Sequence, residues 1–257
     1  RIDAGQYVPN QSTSAIVTAD RGVVVERSMR FGAGRRGAHD KIGVVTASTV
    51  WQFAEGESAA NRQTFLTILN PSQASPAAVT ATFFDRAGKP VGQKTIVVSP
   101  LRRGNIKLND LLPNAQVATV VTSNVPVVVE RPLYEGPADL GAVQSGSVVF
   151  GRNGGGVAWT FSGGSTTNGT VTKLYLFNPN LSPTQVTATF YTSAGAVRSE
   201  HLTIGANSVG IVDAGSLVGT ADFGAVVRST NKQPFIAELS QLNAARGQAS
   251  STQGIAE

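Results

Sequence analysis

The sequence predicts an all-β fold, in which two tandem antiparallel immunoglobulin-like β-sandwiches follow a partial sandwich unit. Three observations lead to this prediction. Most of the chain is built from an internal repeat of about 107 residues, within which apolar and polar residues alternate with a period of two. The composition is rich in Val, Thr, Ser, Ala and Gly, and charged residues make up only 14% of the 257 residues, which is low for a globular protein.

The repeat consists of four sequence blocks that recur in the same order, 107 to 108 positions apart. The paired blocks are WQFAEG (51–56) and WTFSGG (159–164), TFLTILNPS (64–72) and KLYLFNPN (173–180), VTATFFDRAG (79–88) and VTATFYTSAG (186–195), and VPVVVER (125–131) and QPFIAEL (233–239). Four blocks kept in register indicate a duplicated unit of structure.

The first part of the chain matches only the back of this unit. Residues 7–27 align without gaps on residues 111–131, and nothing before them supplies the front blocks. We therefore predict a partial unit over residues 1–46, a complete unit 1 over 47–151 and a unit 2 over 152–257 that ends in a small polar tail. Because the chain starts with Arg1, we expect either a processed mature form or a fragment of a longer protein.

Each unit has the pattern of short strands separated by turns. Val79, Ala81 and Phe83 alternate with Thr80, Thr82 and Phe84, a period of two, and the glycines in 86–89 and 193–196 favour hairpin turns. Such strands, with turn signals about every 8 to 12 residues, are typical of an antiparallel sandwich. The glycine-rich residues 151–158 are predicted to be a linker. The tail, residues 244–257, has two interpretations: a frayed end, or a segment ordered only by a neighbour.

Several of these motifs resemble a known repeat. STVWQFAEG, LNPS, PVVVERPLY and GAHDKIGV are similar to the tandem β-sandwich repeat of large secreted or surface-exposed bacterial proteins, whose motifs run approximately WYFAEG, NPN, VVVERPMYF and GGHDSIG. The similarity is closest over residues 20–136. Unit 2 departs from it, because residues 161–164 lack the acidic residue and Leu239 replaces the arginine. The resemblance implies a secreted or cell-surface location and no known catalytic role.

The residues that carry chemistry are sparse. The sequence has no cysteine and only two histidines, His39 and His201, which lie in different units and share no motif. No GxSxG nucleophile motif and no calcium-binding loop is present. We therefore predict no enzymatic activity, no cofactor and no metal site.

Two kinds of residue recur at fixed positions of the repeat. Trp51 and Trp159 each stand two residues before a phenylalanine, a spacing that places both rings on one face of a strand. We interpret them as core residues, with an exposed carbohydrate-stacking platform as the alternative. A glutamate recurs at one position in all three units, as Glu26, Glu130 and Glu238. We interpret these carboxylates as hydrogen-bond acceptors or partners of arginine with a structural role, rather than as catalytic acids.

The charge pattern argues against two classes of partner. The net charge of +5 is spread along the chain, with small clusters at Arg35–Arg36 and Arg102–Arg103, whereas nucleic-acid binders concentrate it on one element. No apolar run reaches the length of a membrane span, so we expect neither nucleic-acid binding nor membrane insertion.

These observations lead to two hypotheses about function. The first is an extracellular structural protein, a subunit of a filament, fibre or surface layer that assembles with itself through strand complementation. Its candidate assembly strand contains Val23, Val24 and Val25. The missing strands of the partial unit would come from another subunit, from the C-terminal end of the same chain or from sequence before Arg1. The second hypothesis is an adhesin module that binds surface glycans or other surface proteins.

Overall fold

The computed structural model describes residues 1–9, 11–32, 34, 37–136 and 145–256, and over this part of the chain it confirms the all-β prediction. All of the strand pairs in this part are antiparallel, and they form several sheets. The predicted arginine cluster at Arg35–Arg36 lies outside the described residues. The described residues contain no helix that is long and apolar enough to cross a membrane.

The N-terminal partial unit forms less structure than the sequence predicts. It contains one helical turn, α1 (Ala4–Tyr7), and one hairpin made of β1 (Glu26–Phe31) and β2 (Gly37–Ile42). The candidate assembly strand, residues 23–25, ends just before β1 and forms no strand pair in the structure. Strand structure needs a partner for its backbone groups, and the front half of a sandwich, which would provide one, is missing from residues 1–46.

Unit 1 is a two-sheet sandwich joined by one long strand. Its strands are β3 (Ser48–Phe53), β4 (Glu57–Ser58), β5 (Arg62–Leu69), β6 (Ala77–Phe84), β7 (Pro90–Val98), β8 (Arg103–Lys107), β9 (Ala115–Gln116), β10 (Ala118–Glu135) and β11 (Ser145–Phe150). The first half of β10 pairs with β3 and β6, and its second half pairs with β5 and β11. Strand β7 extends the first sheet beside β6, and β8 extends the second beside β5.

Unit 2 repeats the two main sheets of this arrangement. Its elements are β12 (Ala158–Ser165), β13 (Val171–Phe177), β14 (Thr184–Thr192), β15 (Gly195–Ile204), β16 (Val209–Asp213), α2 (Gly215–Val218), β17 (Asp222–Ser229), β18 (Ile236–Asn243), β19 (Gln248–Gln253) and β20 (Ile255–Ala256). The sheets have the orders β15-β14-β17-β12-β20 and β16-β13-β18-β19. Two strands of unit 2 therefore take the place of β10. Strand β17 pairs with β12 and β14 in the first sheet, and β18 pairs with β13 and β19 in the second.

The two tryptophans occupy the same place in the two cores. Trp51 is 4% exposed and Trp159 is fully buried. Their indole N–H groups donate to the backbone carbonyls of Val127 and Phe235, over 2.8 and 2.9 Å. Because both rings are buried and hydrogen-bonded, neither can serve as an exposed platform for a sugar ring.

Residues 244–256 of the polar tail are an ordered part of unit 2. Strand β19 pairs with β18, with Gln253 opposite Glu238, and β20 pairs with β12. Neither interpretation made from the sequence describes it, since it is not frayed and its partners belong to its own chain. The composition concealed the strand because polar contacts replace an apolar face: the Ser147 hydroxyl donates to the Ser251 hydroxyl over 2.9 Å.

The predicted linker, residues 151–158, is also ordered. Arg152 and Gln52 exchange two backbone hydrogen bonds, of 2.7 and 2.9 Å. The Arg152 guanidinium donates to the carbonyl of Gly254 over 2.6 Å and lies 4.9 Å from the centre of the Trp159 ring. The segment therefore fastens the two units to each other, and at the buried Gly151 the glycine serves close approach rather than flexibility.

Replacement of Gly151 by alanine is expected to destabilise unit 1. The added Cβ would lie 2.8 Å from the Phe53 ring and 2.9 Å from the Trp51 Cβ, so the free energy of unfolding should fall by about 1–3 kcal/mol. The matched control is Gly154→Ala, where a Cβ meets nothing within 4 Å, and it should change stability by less than about 0.5 kcal/mol. Urea unfolding measures both, and equal stability of the two variants would contradict the packing described here.

Candidate functional site

Three equivalent hairpins pack against one another in a row. They are β1–β2 of the partial unit, the end of β10 with β11 in unit 1, and β18–β19 in unit 2. Each carries one of the recurring glutamates: Glu26 lies opposite Ile42, Glu130 opposite Phe150, and Glu238 opposite Gln253. Strand β11 contacts both β2 and β19, so the hairpin of unit 1 lies between the other two.

A buried ion cluster joins unit 1 to unit 2. The Arg131 guanidinium contacts the carboxylate of Glu55 at 2.9 Å and that of Glu238 at 2.8 Å. All three side chains are at most 2% exposed. The Glu238 carboxylate also accepts a hydrogen bond from the backbone N–H of Ala54 over 2.8 Å. The Glu55 carboxylate accepts a hydrogen bond from the Ser251 hydroxyl over 3.1 Å. The cluster therefore ties strands of unit 1 to both β18 and β19 of unit 2.

Burial sets the electrostatics of this cluster. It disfavours every charged form, and it raises the pKa of Glu238 despite the opposing effect of Arg131. Burial also disfavours the charged Arg131, but Glu238 and Glu55 outweigh it and hold the pKa of the guanidinium above its ordinary value. One guanidinium thus compensates two carboxylates, and its loss would leave both of them buried without a counter-charge.

The contact between the partial unit and unit 1 also pairs an arginine of one unit with a glutamate of the next. Arg27 holds the position of Arg131 one unit earlier, and its guanidinium lies 2.9 Å from the carboxylate of Glu130. Glu130 in turn holds the position of Glu238. Adjacent residues on a strand point to opposite faces, so Glu130 faces the preceding hairpin and Arg131 faces the following one. The arginine of each unit therefore pairs with the glutamate of the next.

Unit 2 does not continue the series. The position of Arg131 is occupied by Leu239, which is fully buried in the apolar core, and the position of Glu55 is occupied by Gly163. The two charges are lost together, as expected for residues that satisfy each other. Glu238 of unit 2 therefore pairs with Arg131 of unit 1, but unit 2 has no arginine at the position that corresponds to Arg131.

An aromatic cluster also holds the β1–β2 hairpin on unit 1. The ring of Phe31 lies 5.3 Å from that of His39 and 5.0 Å from that of Tyr134, between ring centres. The Nε2 of His39 is 3.5 Å from the Tyr134 hydroxyl. Burial, and after it the charge of Arg27, lowers the pKa of His39 from 6.5 to about 4. His39 is therefore neutral at pH 7, as its apolar surroundings require.

Next to this docked hairpin lies a stretch of exposed apolar residues. By the alignment of residues 7–27 on 111–131, Val17, Val23 and Val25 correspond to three valines of unit 1 that are fully buried: Val121, Val127 and Val129. In the partial unit the same three positions are 53%, 59% and 37% exposed, and Val24 beside them is 83% exposed. Residues 11–25 thus have the sequence of a core strand without the partners of one.

The structure separates the recurring glutamates by environment. Glu130 and Glu238 pair with arginines, whereas Glu26 is exposed and makes no ion pair with the described residues. Sequence reasoning missed Arg27 and Arg131 as the partners of these two glutamates. It also missed Glu55 as the second partner of Arg131. The available signal was the joint loss of the arginine and of the acidic residue in unit 2, two departures that a single contact explains.

Little else in the described part of the chain points to chemistry. No group of three or more His, Cys, Asp or Glu side chains among the described residues could hold a metal ion. His201 lies on the exposed side of β15, where its Nδ1 is 2.9 Å from the Thr187 hydroxyl at the edge of a shallow polar cleft. The contacts between units are therefore the site with the most developed geometry.

Replacement of Arg131 by methionine is expected to lower the free energy of unfolding by about 3–5 kcal/mol, because it leaves two buried carboxylates unpaired. The matched control is Arg27→Met, the equivalent change one unit earlier. Arg27 is 39% exposed, so its loss should cost no more than about 1 kcal/mol. Urea unfolding compares the two, and a larger loss for Arg27→Met would contradict this ranking.

Acidification is expected to release the β1–β2 hairpin. His39 binds a proton near pH 4 when docked but near 6.5 when free, so the open form binds more protons as the pH falls through this window. Opening, measured by amide exchange of residues 37–42 and corrected for intrinsic rates, should therefore rise from pH 6.5 to 4. His39→Gln should remove this pH dependence and His201→Gln should keep it, whereas retention in both would show that His39 is not the titrating group.

The comparisons with known proteins give only weak likenesses. No protein-family model matches the chain, and no curated protein matches it. Among solved structures it is similar to the crystal structure of Thermotoga maritima 1070, with 21% identity, 41% of this chain and 94% of the other covered, and a TM-score of 0.36. It is similar to the Anabaena sensory rhodopsin transducer, with 28% identity, 35% and 99% covered, and a TM-score of 0.30. A Streptomyces avermitilis alpha-L-rhamnosidase complexed with L-rhamnose has 11% identity, 81% and 28% covered, and a TM-score of 0.21. All three TM-scores lie below 0.5, so these likenesses carry no argument about what the chain does.

Proposed function

We propose that this chain is a non-enzymatic structural protein of the cell exterior, a subunit of a filament, fibre or surface layer. Its units stack in series, and its partial unit joins a neighbouring subunit that supplies the missing strands. The secreted or cell-surface location rests on the resemblance of its motifs to the repeats of such bacterial proteins.

The observation that carries the proposal is the exposure of Val17, Val23 and Val25. The equivalent valines of unit 1 are fully buried, at 0% exposure, in a core built from both sheets. Leaving such side chains and an unpaired strand in water is unfavourable by roughly 1.5–3 kcal/mol for each valine that would otherwise be fully buried. A neighbour that covers them and pairs with their backbone gains this free energy, as in donor-strand complementation.

The described residues leave this surface open. Its C-terminal strands, which were one expected source of the missing partners, are already paired: β19 with β18 and β20 with β12. The β1–β2 hairpin is docked on unit 1 by Arg27 and the aromatic cluster. Val25 accepts a backbone hydrogen bond from Gly43 and continues directly into β1, so the end of the open strand is fixed to the docked hairpin. This reduces the conformational entropy that a neighbour must overcome when it binds there.

Polar replacement of the exposed valines is expected to weaken assembly without unfolding the chain. The triple variant Val17→Ser, Val23→Ser and Val25→Ser removes apolar surface that the described residues leave exposed. In sedimentation velocity and electron microscopy, the wild-type chain should form larger species as its concentration rises, and the triple variant should remain monomeric with an unchanged melting temperature.

The matched control is Val91→Ser with Val97→Ser. Both valines lie on the exposed side of β7, 36% and 71% exposed, and correspond to no part of the open strand. This control should assemble like the wild type. The proposal fails if the wild type stays monomeric at every concentration, or if the triple variant assembles as the wild type does.

A further inference from the structure

We propose that the strand that completes the partial unit ends in an acidic residue whose carboxylate binds Arg27. This inference rests on the proposed function and specifies the chemistry of the neighbour. The partner it describes is an extended segment of the pattern Trp-x-Phe-x-Glu, like residues 51–55 of unit 1, contributed by a polypeptide in which that segment is free to pair.

Unit 1 provides the template. There, the chain leaves β3 at Phe53 and places Glu55 directly on Arg131. The Nη2 of Arg131 donates to the Glu55 carboxylate over 2.9 Å, and its Nη1 donates to the Glu55 backbone carbonyl. Nη1 also lies 2.8 Å from Glu238 of the next unit. A complete unit therefore gives its arginine two acidic partners, one from its own β3 segment and one from the unit that follows.

Among the described residues, Arg27 has only the second of these partners. Its Nη1 lies 2.9 Å from Glu130 of the next unit. Its Nη2 is shielded from solvent, yet among the described residues it has no hydrogen-bond acceptor. The equivalent atom of Arg131 is the one that binds Glu55. The Nε of both arginines lacks a partner in the same way, so Nη2 marks the difference between the partial and the complete unit.

The register of the missing strand follows from the same template. Strand β3 lies antiparallel to β10, with Phe53 opposite Thr119, Trp51 opposite Val121 and Ser48 opposite Val127.

A shift of 104 positions converts this register to the partial unit. The phenylalanine of the incoming strand would then lie opposite Ala15, its tryptophan opposite Val17, and its first residue opposite Val23. The indole N–H would donate to the carbonyl of Val23, as that of Trp51 does to Val127. The acidic residue, two positions after the phenylalanine, would then lie beside the Arg27 guanidinium, as Glu55 lies beside that of Arg131.

In a folded second copy of the chain, neither of the two equivalent turns can make this contact. Glu55 is buried against Arg131, and Trp51, on the same strand, is buried in the core of its own unit. The corresponding turn of unit 2 has Gly163 in place of the acid. A second copy could supply the strand only by opening its own unit 1 and giving up the contact between its Glu55 and Arg131.

The test uses the full chain and three synthetic peptides. The first peptide has the sequence of residues 48–56, the second is the same with Glu55→Gln, and the third has the sequence of residues 156–164, which lacks the acid. NMR titration follows the backbone amides of residues 15–25 and the Nε–H signal of Arg27. The first peptide should bind about tenfold more tightly than either of the others, because a hydrogen bond between charged groups out of water contributes strongly.

Two variants of the chain assign this preference to Arg27. In Arg27→Met, the peptide with glutamate and the peptide with glutamine should bind equally. In Arg30→Met, which removes an exposed arginine of the same strand, the tenfold preference should remain.

The outcomes separate the two proposals. If no peptide perturbs residues 15–25, strand complementation of the partial unit is wrong, and the inference falls with it. If the glutamate and glutamine peptides bind the wild-type chain equally, complementation stands and the acidic contact is wrong.

Discussion

The arrangement of the units depends on one buried guanidinium. Arg131 is 1% exposed and compensates the carboxylates of Glu55 and Glu238, which belong to two different units. Apolar residues of the same volume often contribute as much stability as a buried ion pair, so stability alone does not explain such a cluster. Geometry offers a better reason. An apolar interface tolerates small shifts between two sheets, whereas a shift of one residue here would leave buried charges without partners.

The same contact gives the chain a direction. Each arginine pairs with the glutamate of the following unit, from Arg27 to Glu130 and from Arg131 to Glu238. Unit 2 has Leu239 at the position of the next arginine, so it cannot form the equivalent ion pair and the series of pairs ends there. At the other side, Glu26 is exposed, and among the residues that the structure describes Arg27 has one acidic partner instead of two. The stack therefore has a side at which the pairing is satisfied and a side at which it is open.

Much of the fold could be predicted from the sequence, because the strands of the units bury alternate residues in an apolar core and the repeat doubles every signal. Positions such as Val79, Ala81 and Phe83 carry the period of two directly. Strand β19 escaped prediction because Ser251 and its neighbours replace apolar packing with hydroxyl contacts, which leave no hydrophobic pattern. The order of residues 151–158 escaped for a related reason, since a glycine required for close approach is indistinguishable from one in a flexible linker.

The candidate site was harder to predict than the fold because its partners are distant in sequence. Glu130 and Glu238 recur in a conspicuous motif, but their arginines lie about one repeat length earlier in the chain. Only a comparison of units reveals the link, because unit 2 lacks both the arginine and the acidic turn residue. The same comparison gives the open end its meaning. The partial unit keeps the arginine, the core valines and the docked hairpin of a complete unit, so what it lacks is defined residue by residue by the unit that follows it.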